Sequence, residues 1–128
     1  MKQFRGLFVL LVLTYSQASM VDLQQCINKA SSEVDIRECI GVELEYQDFL
    51  LNKYYKVLKR QAESKEGEKV LRDAQRAWIK YRDANCEFEA FPMKNGSGWT
   101  TLHLECLNTM TTQRAQALKT NINTVYRE

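Results

Sequence analysis

The sequence predicts an all-α fold: an antiparallel helical bundle of three long helices plus a short N-terminal helix, cross-linked by disulfides. Apolar residues recur at three- and four-residue steps through most of the chain, which is the period of an amphipathic helix, and strand signals are almost absent. Short turn signals separate the helical segments, and four cysteines follow a secretory leader. Long helices joined by short connections favour an antiparallel bundle.

The helical pattern divides into four segments. They cover residues 22–30, 35 to about 64, 68–89, and about 101 onward. A serine pair at 31–32 separates the first two segments, and Gly67 marks the next turn. Pro92 closes the third segment, and the Gly-rich stretch 94–99 is predicted to be a loop.

The first eighteen residues have the organisation of a signal peptide. A short basic segment precedes an apolar run at 7–13, and Ser16-Gln17-Ala18 forms a small-x-small cleavage site. The apolar run is too short to span a bilayer. Because no cysteine follows the site before Cys26, a lipid anchor is not indicated. We therefore expect a periplasmic or secreted product without a membrane anchor after cleavage.

The mature product, residues 19–128, is predicted to be one domain without net charge. The eighteen basic residues include Lys2 and Arg5 of the leader, so cleavage leaves sixteen to balance the sixteen acidic residues. This balance disfavours nucleic acid as a partner. A chain of about 110 residues can form one core and gains stability from covalent cross-links.

The four cysteines allow three disulfide connectivities, and the sequence does not choose among them. We prefer Cys26 with Cys39 and Cys86 with Cys106, because these pairs close the shortest loops. The alternative is a metal site. The chain has no CxxC pair and only one histidine, His103, so we expect neither a metal nor a cofactor.

One face of the third helix is predicted to pack into the bundle. Its members recur at helical spacing: Leu71, Ala74, Trp78, Tyr81, Asn85 and Phe88. Arg82 lies at the edge of this face, four residues after Trp78. A guanidinium beside a buried indole is paired, stacked or offered to a partner. Trp78 itself is interpreted as a core residue.

Arg82 and Arg114 have two interpretations. They are presented to an acidic partner or a glycan carboxylate, or they reach across the bundle to Asp48, Glu45 or Glu105 and fix helix register. The second is favoured, because half-buried arginines usually satisfy internal acids.

An ordered set of residues resembles the LprI-type lysozyme inhibitor family over roughly residues 22–118. The signature comprises Leu51, Asn52, Tyr55, Leu71, Ala74, Gln75, Ala77, Trp78, Tyr81, Arg82, Asp83, Cys86, the Gly-Ser loop, Cys106, Thr111, Arg114 and Leu118. The resemblance implies a small, helical, disulfide-bonded envelope protein that binds lysozyme and protects peptidoglycan. Some relatives are lipoproteins, and this chain departs from them in lacking a lipidation cysteine.

The predicted loop is the candidate inhibitory site. A glycosidase inhibitor must offer hydrogen-bond donors to the two catalytic carboxylates of its target. The candidate residues are Asn95, Gly96, Ser97, Gly98 and Trp99, with the amide and hydroxyl as donors and the indole in a sugar-binding position. The alternative is that this stretch only connects two helices while Trp99 covers the end of the bundle.

An enzyme is disfavoured by the available side chains. His103 has no convincing nucleophile partner, and Glu87 and Glu89 point in different directions on a helix. The alternative to lysozyme inhibition is a periplasmic interaction or immunity-type module that binds another envelope protein. The oligomeric state and the type of lysozyme are left open by the sequence.

Overall fold

The computed structural model describes residues 18–124, which form four α-helices. The elements are α1 (Ala18–Lys29), α2 (Glu33–Gln61), α3 (Lys65–Ala90) and α4 (Gly98–Thr124), with a 3₁₀ turn at Phe91–Met93 between α3 and α4. The predicted all-α fold is confirmed. The predicted signal peptide lies outside the described residues except for Ala18. Within 18–124 none of the helices has the length and apolarity needed to cross a membrane.

A capping box begins α2. The hydroxyl of Ser32 accepts a hydrogen bond from the backbone N–H of Asp35 at 3.2 Å, and Asp35 Oδ2 accepts from the backbone N–H of Ser32 at 3.0 Å. Ser31 donates to the same carboxylate through its N–H and its hydroxyl. These bonds hold the pKa of Asp35 below its usual value. Asp35 was predicted to open the helix, but as the third residue of α2 it lies inside the first turn.

Ser64 caps the start of α3. Its hydroxyl accepts from the backbone N–H of Gly67 at 3.1 Å. Gly67, predicted to mark the turn, is therefore in the first turn of the helix. The connection between α2 and α3 consists of residues 62–64.

The core forms mainly between α2 and α4, which make the most extensive contact of the bundle. Leu51 and Leu58 from α2 meet Ala115 and Leu118 from α4, and Trp78 of α3 packs against them. The two helices run in the same direction, since a hydrogen bond of 3.1 Å joins their first turns, from Thr101 Oγ1 to Glu33 Oε1. Helix α3, which connects α2 to α4 along the chain, runs in the opposite direction and packs on α4.

Two disulfides connect the helices in the preferred pairing, which is confirmed. Cys26–Cys39 joins α1 to α2, with Cα atoms 5.8 Å apart. Cys86–Cys106 joins α3 to α4, with Cα atoms 5.4 Å apart. Both separations are ordinary for a disulfide.

The inward face of α3 differs from the predicted one. Leu71 and Trp78 do pack toward the core, but the neighbouring inward positions are held by Gln75, Arg82 and Cys86. The predicted members Ala74, Tyr81 and Phe88 are exposed, Tyr81 to 62% and Phe88 to 76%. The prediction failed because the inward positions include the polar Gln75 and Arg82, whereas the exposed stripe beside them is more apolar. Hydrogen bonds across the bundle, described below, turn Gln75 and Arg82 inward.

Candidate functional site

The tip of the α3–α4 hairpin is a short, internally bonded turn. The backbone N–H of Lys94 donates to the carbonyl of Phe91 at 2.9 Å, and that of Gly96 donates to Met93 at 2.8 Å. Asn95 has a φ of 82°, the left-handed conformation that asparagine tolerates better than most residues. A Cβ on Gly96 would lie 3.3 Å from the Met93 carbonyl oxygen, so a larger residue there would strain the turn.

All residues from 91 to 97 are exposed, and two of them are large and apolar. Phe91 is 60% exposed and Met93 is 50% exposed. The sequence reasoning missed both as site residues. The available signal was the apolar pair on either side of Pro92, immediately before a Gly-rich loop. We use the name tip for residues 91–97.

Gly98 and Trp99 belong to α4 and not to the loop. The Trp99 ring stacks on His103 one turn later, with centroids 4.7 Å apart and an interplanar angle of 11°. Trp99 is half-buried, and its buried Nε1 has no hydrogen-bond partner. This i, i+4 contact supports the first turn of α4 and explains why the helix begins earlier than the expected Thr101. Of the five candidate residues, Asn95, Gly96 and Ser97 lie in the exposed tip.

The Cys86–Cys106 disulfide closes the hairpin behind the tip. Cys86 is fully buried, and its cross-link encloses the tip in a loop with a sequence separation of 20. The cross-link lies five residues before the tip on α3 and nine residues after it on α4. A loop held at its base loses less conformational entropy when it binds a partner.

Carboxylates dominate the surface next to the tip. Lys94 Nζ lies 3.6 Å from Glu87 Oε1 and 5.4 Å from the centroid of the Phe91 ring, so its charge is partly matched locally. Glu89 and Glu105 line an open groove of about 480 Å³ between α3 and α4. The groove and tip together offer a cationic partner a favourable potential.

Several residues of the family signature form an internal network. Arg82 donates from Nη1 to Thr111 Oγ1 at 3.2 Å and lies 3.8 Å from Asp48 Oδ1. The second terminal nitrogen of Arg82, Nη2, is 2.8 Å from Oδ1 of the neighbouring Asp83. The guanidinium is also 5.1 Å from the centroid of Trp78. Arg82 is therefore paired and stacked within the bundle, as the favoured interpretation held.

Arg114 approaches the same indole from α4. Its guanidinium lies 5.9 Å from the centroid of Trp78, and its Nε donates to Gln75 Oε1 at 3.1 Å. Burial lowers the pKa of Arg114 from its usual value. The prediction of an acidic partner for Arg114 was wrong, because its guanidinium bonds to the amide oxygen of Gln75. Two guanidiniums, one from its own helix and one from α4, therefore lie near the Trp78 ring.

Among the signature residues of α2, Leu51 and Tyr55 pack in or against the core, whereas the exposed Asn52 bonds within its own helix. Asn52 Nδ2 donates back to the carbonyl of Asp48 at 2.9 Å, and Leu51 and Tyr55 belong to the core cluster or pack against it. The signature residues of α2, α3 and α4 therefore position the hairpin that carries the tip.

The fold and network define a small helical-bundle domain. One disulfide spans the α1–α2 connection and the other spans the α3–α4 connection. The chain belongs to the LprI family: the family described as Lysozyme inhibitor LprI matches residues 26–118. The chain is also similar to an uncharacterised protein of Rhizobium meliloti, at 37% identity over 103 residues, covering 71% of this chain and 74% of the relative. No solved structure matches this chain.

Proposed function

We propose that this protein binds lysozyme and blocks its hydrolysis of peptidoglycan, with the tip as the element that enters the catalytic cleft. Membership of a lysozyme inhibitor family supports the activity. The choice of the tip rests on one observation: it is an exposed turn with donors and apolar side chains, fixed at its base by Cys86–Cys106.

The chemistry of the tip suits a glycosidase cleft. The amide of Asn95 and the hydroxyl of Ser97 are exposed donors for the two carboxylates that flank the scissile bond. Phe91 and Met93 supply apolar surface for the sugar-binding positions on either side. The tip carries out no reaction in this proposal; it competes with the glycan for the cleft.

Trp99 takes a supporting role in this proposal. Its ring is stacked on His103 and half-buried, so it holds the C-terminal end of the tip and leaves the sugar-binding positions to Phe91 and Met93. This replaces the sequence-based hypothesis in which the indole itself mimics a sugar.

The proposed location is the periplasm or the exterior. Two disulfides persist only in an oxidising compartment, and lysozyme acts on the outer side of the cytoplasmic membrane. Within residues 18–124 all four cysteines are paired.

A clearing assay tests the proposal. Lysozyme is added to a peptidoglycan suspension with increasing amounts of the purified protein, using c-, g- and i-type lysozymes in turn. We expect suppressed clearing for at least one type. Clearing by this protein alone would indicate a hydrolase, and no effect on any lysozyme would favour the immunity-type interaction module.

A matched pair of variants tests the tip. Asn95→Gly with Ser97→Ala removes both side-chain donors while keeping the left-handed backbone at 95 accessible. The control is Asn121→Ala, an exposed asparagine on α4 away from the tip. We expect inhibition to weaken by about tenfold or more in the first and to be unchanged in the second. Equal inhibition by both would remove the tip from the proposal.

A further inference from the structure

A second apolar stripe runs along α3 on the side that faces away from the core. Its members are exposed and follow one another in steps of three, four, three and four residues: Ala74, Ala77, Tyr81, Ala84 and Phe88. This is the heptad spacing of a helix that packs along another helix. Neither α2 nor α4 covers it.

We propose that two copies of this chain pair antiparallel along this stripe, around a twofold axis between Arg82 and Asp83. In this register Tyr81 packs on the partner's Ala84, and Phe88 packs on the partner's Ala77. This interface goes beyond the proposed function. It is isologous, so each contact occurs twice.

The sizes of the side chains favour this register. Each exposed aromatic ring, 62% exposed at Tyr81 and 76% at Phe88, meets an alanine of the other copy. A large residue opposite a small one lets two helices approach closely without leaving a void. The pairing withdraws two aromatic side chains per copy from water, and such exposed apolar stripes are uncommon on monomers.

Charge complementarity selects the second copy as the occupant. Lys80 and Glu87 flank the stripe on the side left open, whereas the other flank, with Trp78 and Asn85, is closed by α4. The proposed axis places Lys80 within two residues of the level of the partner's Glu87, roughly 3 Å along the helix. Two symmetric ion pairs result, and they set register more than they add affinity.

In this register each tip lies beside the partner's α3. The C-terminal ends of the two α3 helices point in opposite directions, and Phe91 reaches the level of the partner's Ala74. Glu87 also lies 3.6 Å from Lys94 of its own chain, an exposed contact that is readily shared or exchanged.

The test measures mass by light scattering or sedimentation across a concentration series of the purified protein with both disulfides formed. We expect a concentration-dependent dimer for the natural chain. Lys80→Glu and Glu87→Lys should each weaken dimerisation by about tenfold or more, because each places like charges together twice. Mixed in equal amounts, the two variants should form a heterodimer, since both opposite-charge pairs are then restored.

Controls separate the interface from folding. Lys53→Glu, an exposed charge reversal on α2, should dimerise as the natural chain does. Phe88→Ser, at an exposed position, should be monomeric with unchanged helical circular dichroism. A monomer at every concentration would overturn the proposal. A Glu87→Lys variant that dimerises normally, or a mixture that stays monomeric, would overturn it as well.

Discussion

The guanidinium of Arg82 lies 5.1 Å from the centroid of the Trp78 ring, while its Nη1 donates across the bundle to Thr111 of α4 at 3.2 Å. One side chain therefore fixes both the rotation of α3 and its position along α4. This explains how a residue at the edge of an apolar face becomes part of the interior.

Replacing Arg82 by alanine should destabilise the fold by about 2 kcal/mol, because a charge-assisted hydrogen bond is lost and Thr111 is left unpaired. Urea unfolding of Arg82→Ala measures the effect. Arg76→Ala, an exposed arginine on the same helix, is the control and should change stability little. Similar losses in both would mean that Arg82 contributes no more than a surface arginine.

The two disulfides should differ in their effect on inhibition. Removing Cys86–Cys106 as the double alanine variant should cost about 3 kcal/mol in the chain-entropy model and weaken inhibition, because the tip loses its fixed base. Removing Cys26–Cys39 should also lower stability but leave inhibition by the folded protein intact. Clearing assays below the melting temperature of both variants make the comparison. Equal inhibition by the two variants would contradict the role of the hairpin cross-link.

Asp35→Asn should alter how stability depends on pH. Its hydrogen bonds with Ser31 and Ser32 lower the pKa of Asp35. The ionised carboxylate therefore contributes stability above about pH 4, and this contribution is lost as the pH falls through the lowered pKa. Thermal melts at neutral and acidic pH should show a lower melting temperature for the variant at neutral pH and a shallower loss on acidification. Asp22→Asn, outside the capping box, serves as the reference, and matching profiles for the two variants would refute the prediction.

Trp99→Ala and Trp99→Phe should differ in their effect on stability. Alanine removes the stack on His103 from a half-buried position, so both melting temperature and inhibition should fall. Phenylalanine keeps an aromatic ring and deletes the buried Nε1 donor that has no partner, so stability should change by less than about 1 kcal/mol. If the indole itself enters the cleft, Trp99→Ala should abolish inhibition while the melting temperature stays unchanged.

Several features followed from the sequence because they depend on local rules. The helical period and the turn signals predicted the four helices, and the rule of shortest loops predicted Cys26–Cys39 and Cys86–Cys106. The helix starts were less accurate, since Ser32 and Ser64 act as caps through hydrogen bonds whose geometry the sequence does not display.

The inward face of α3 could not be predicted in the same way. The helical period was compatible with two adjacent stripes facing the core. Hydrogen bonds to residues far along the chain decide which stripe does so: Arg82 bonds to Thr111, and Gln75 bonds to Arg114. The candidate site was likewise only partly visible. Asn95 and Ser97 were found by their chemistry, whereas Phe91 and Met93 became visible only with the exposure of the tip.

The two disulfides are sequential along the chain, and neither spans the turn at 62–64 between α2 and α3. A single peptide-bond cut in that turn would therefore divide the protein into two covalently separate fragments, each with its own cross-link. Only noncovalent contacts, chiefly between α2 and α4, would then hold the fragments together. In covalent terms the molecule consists of two cross-linked halves that recognise each other, and the half with α3 and α4 carries the tip.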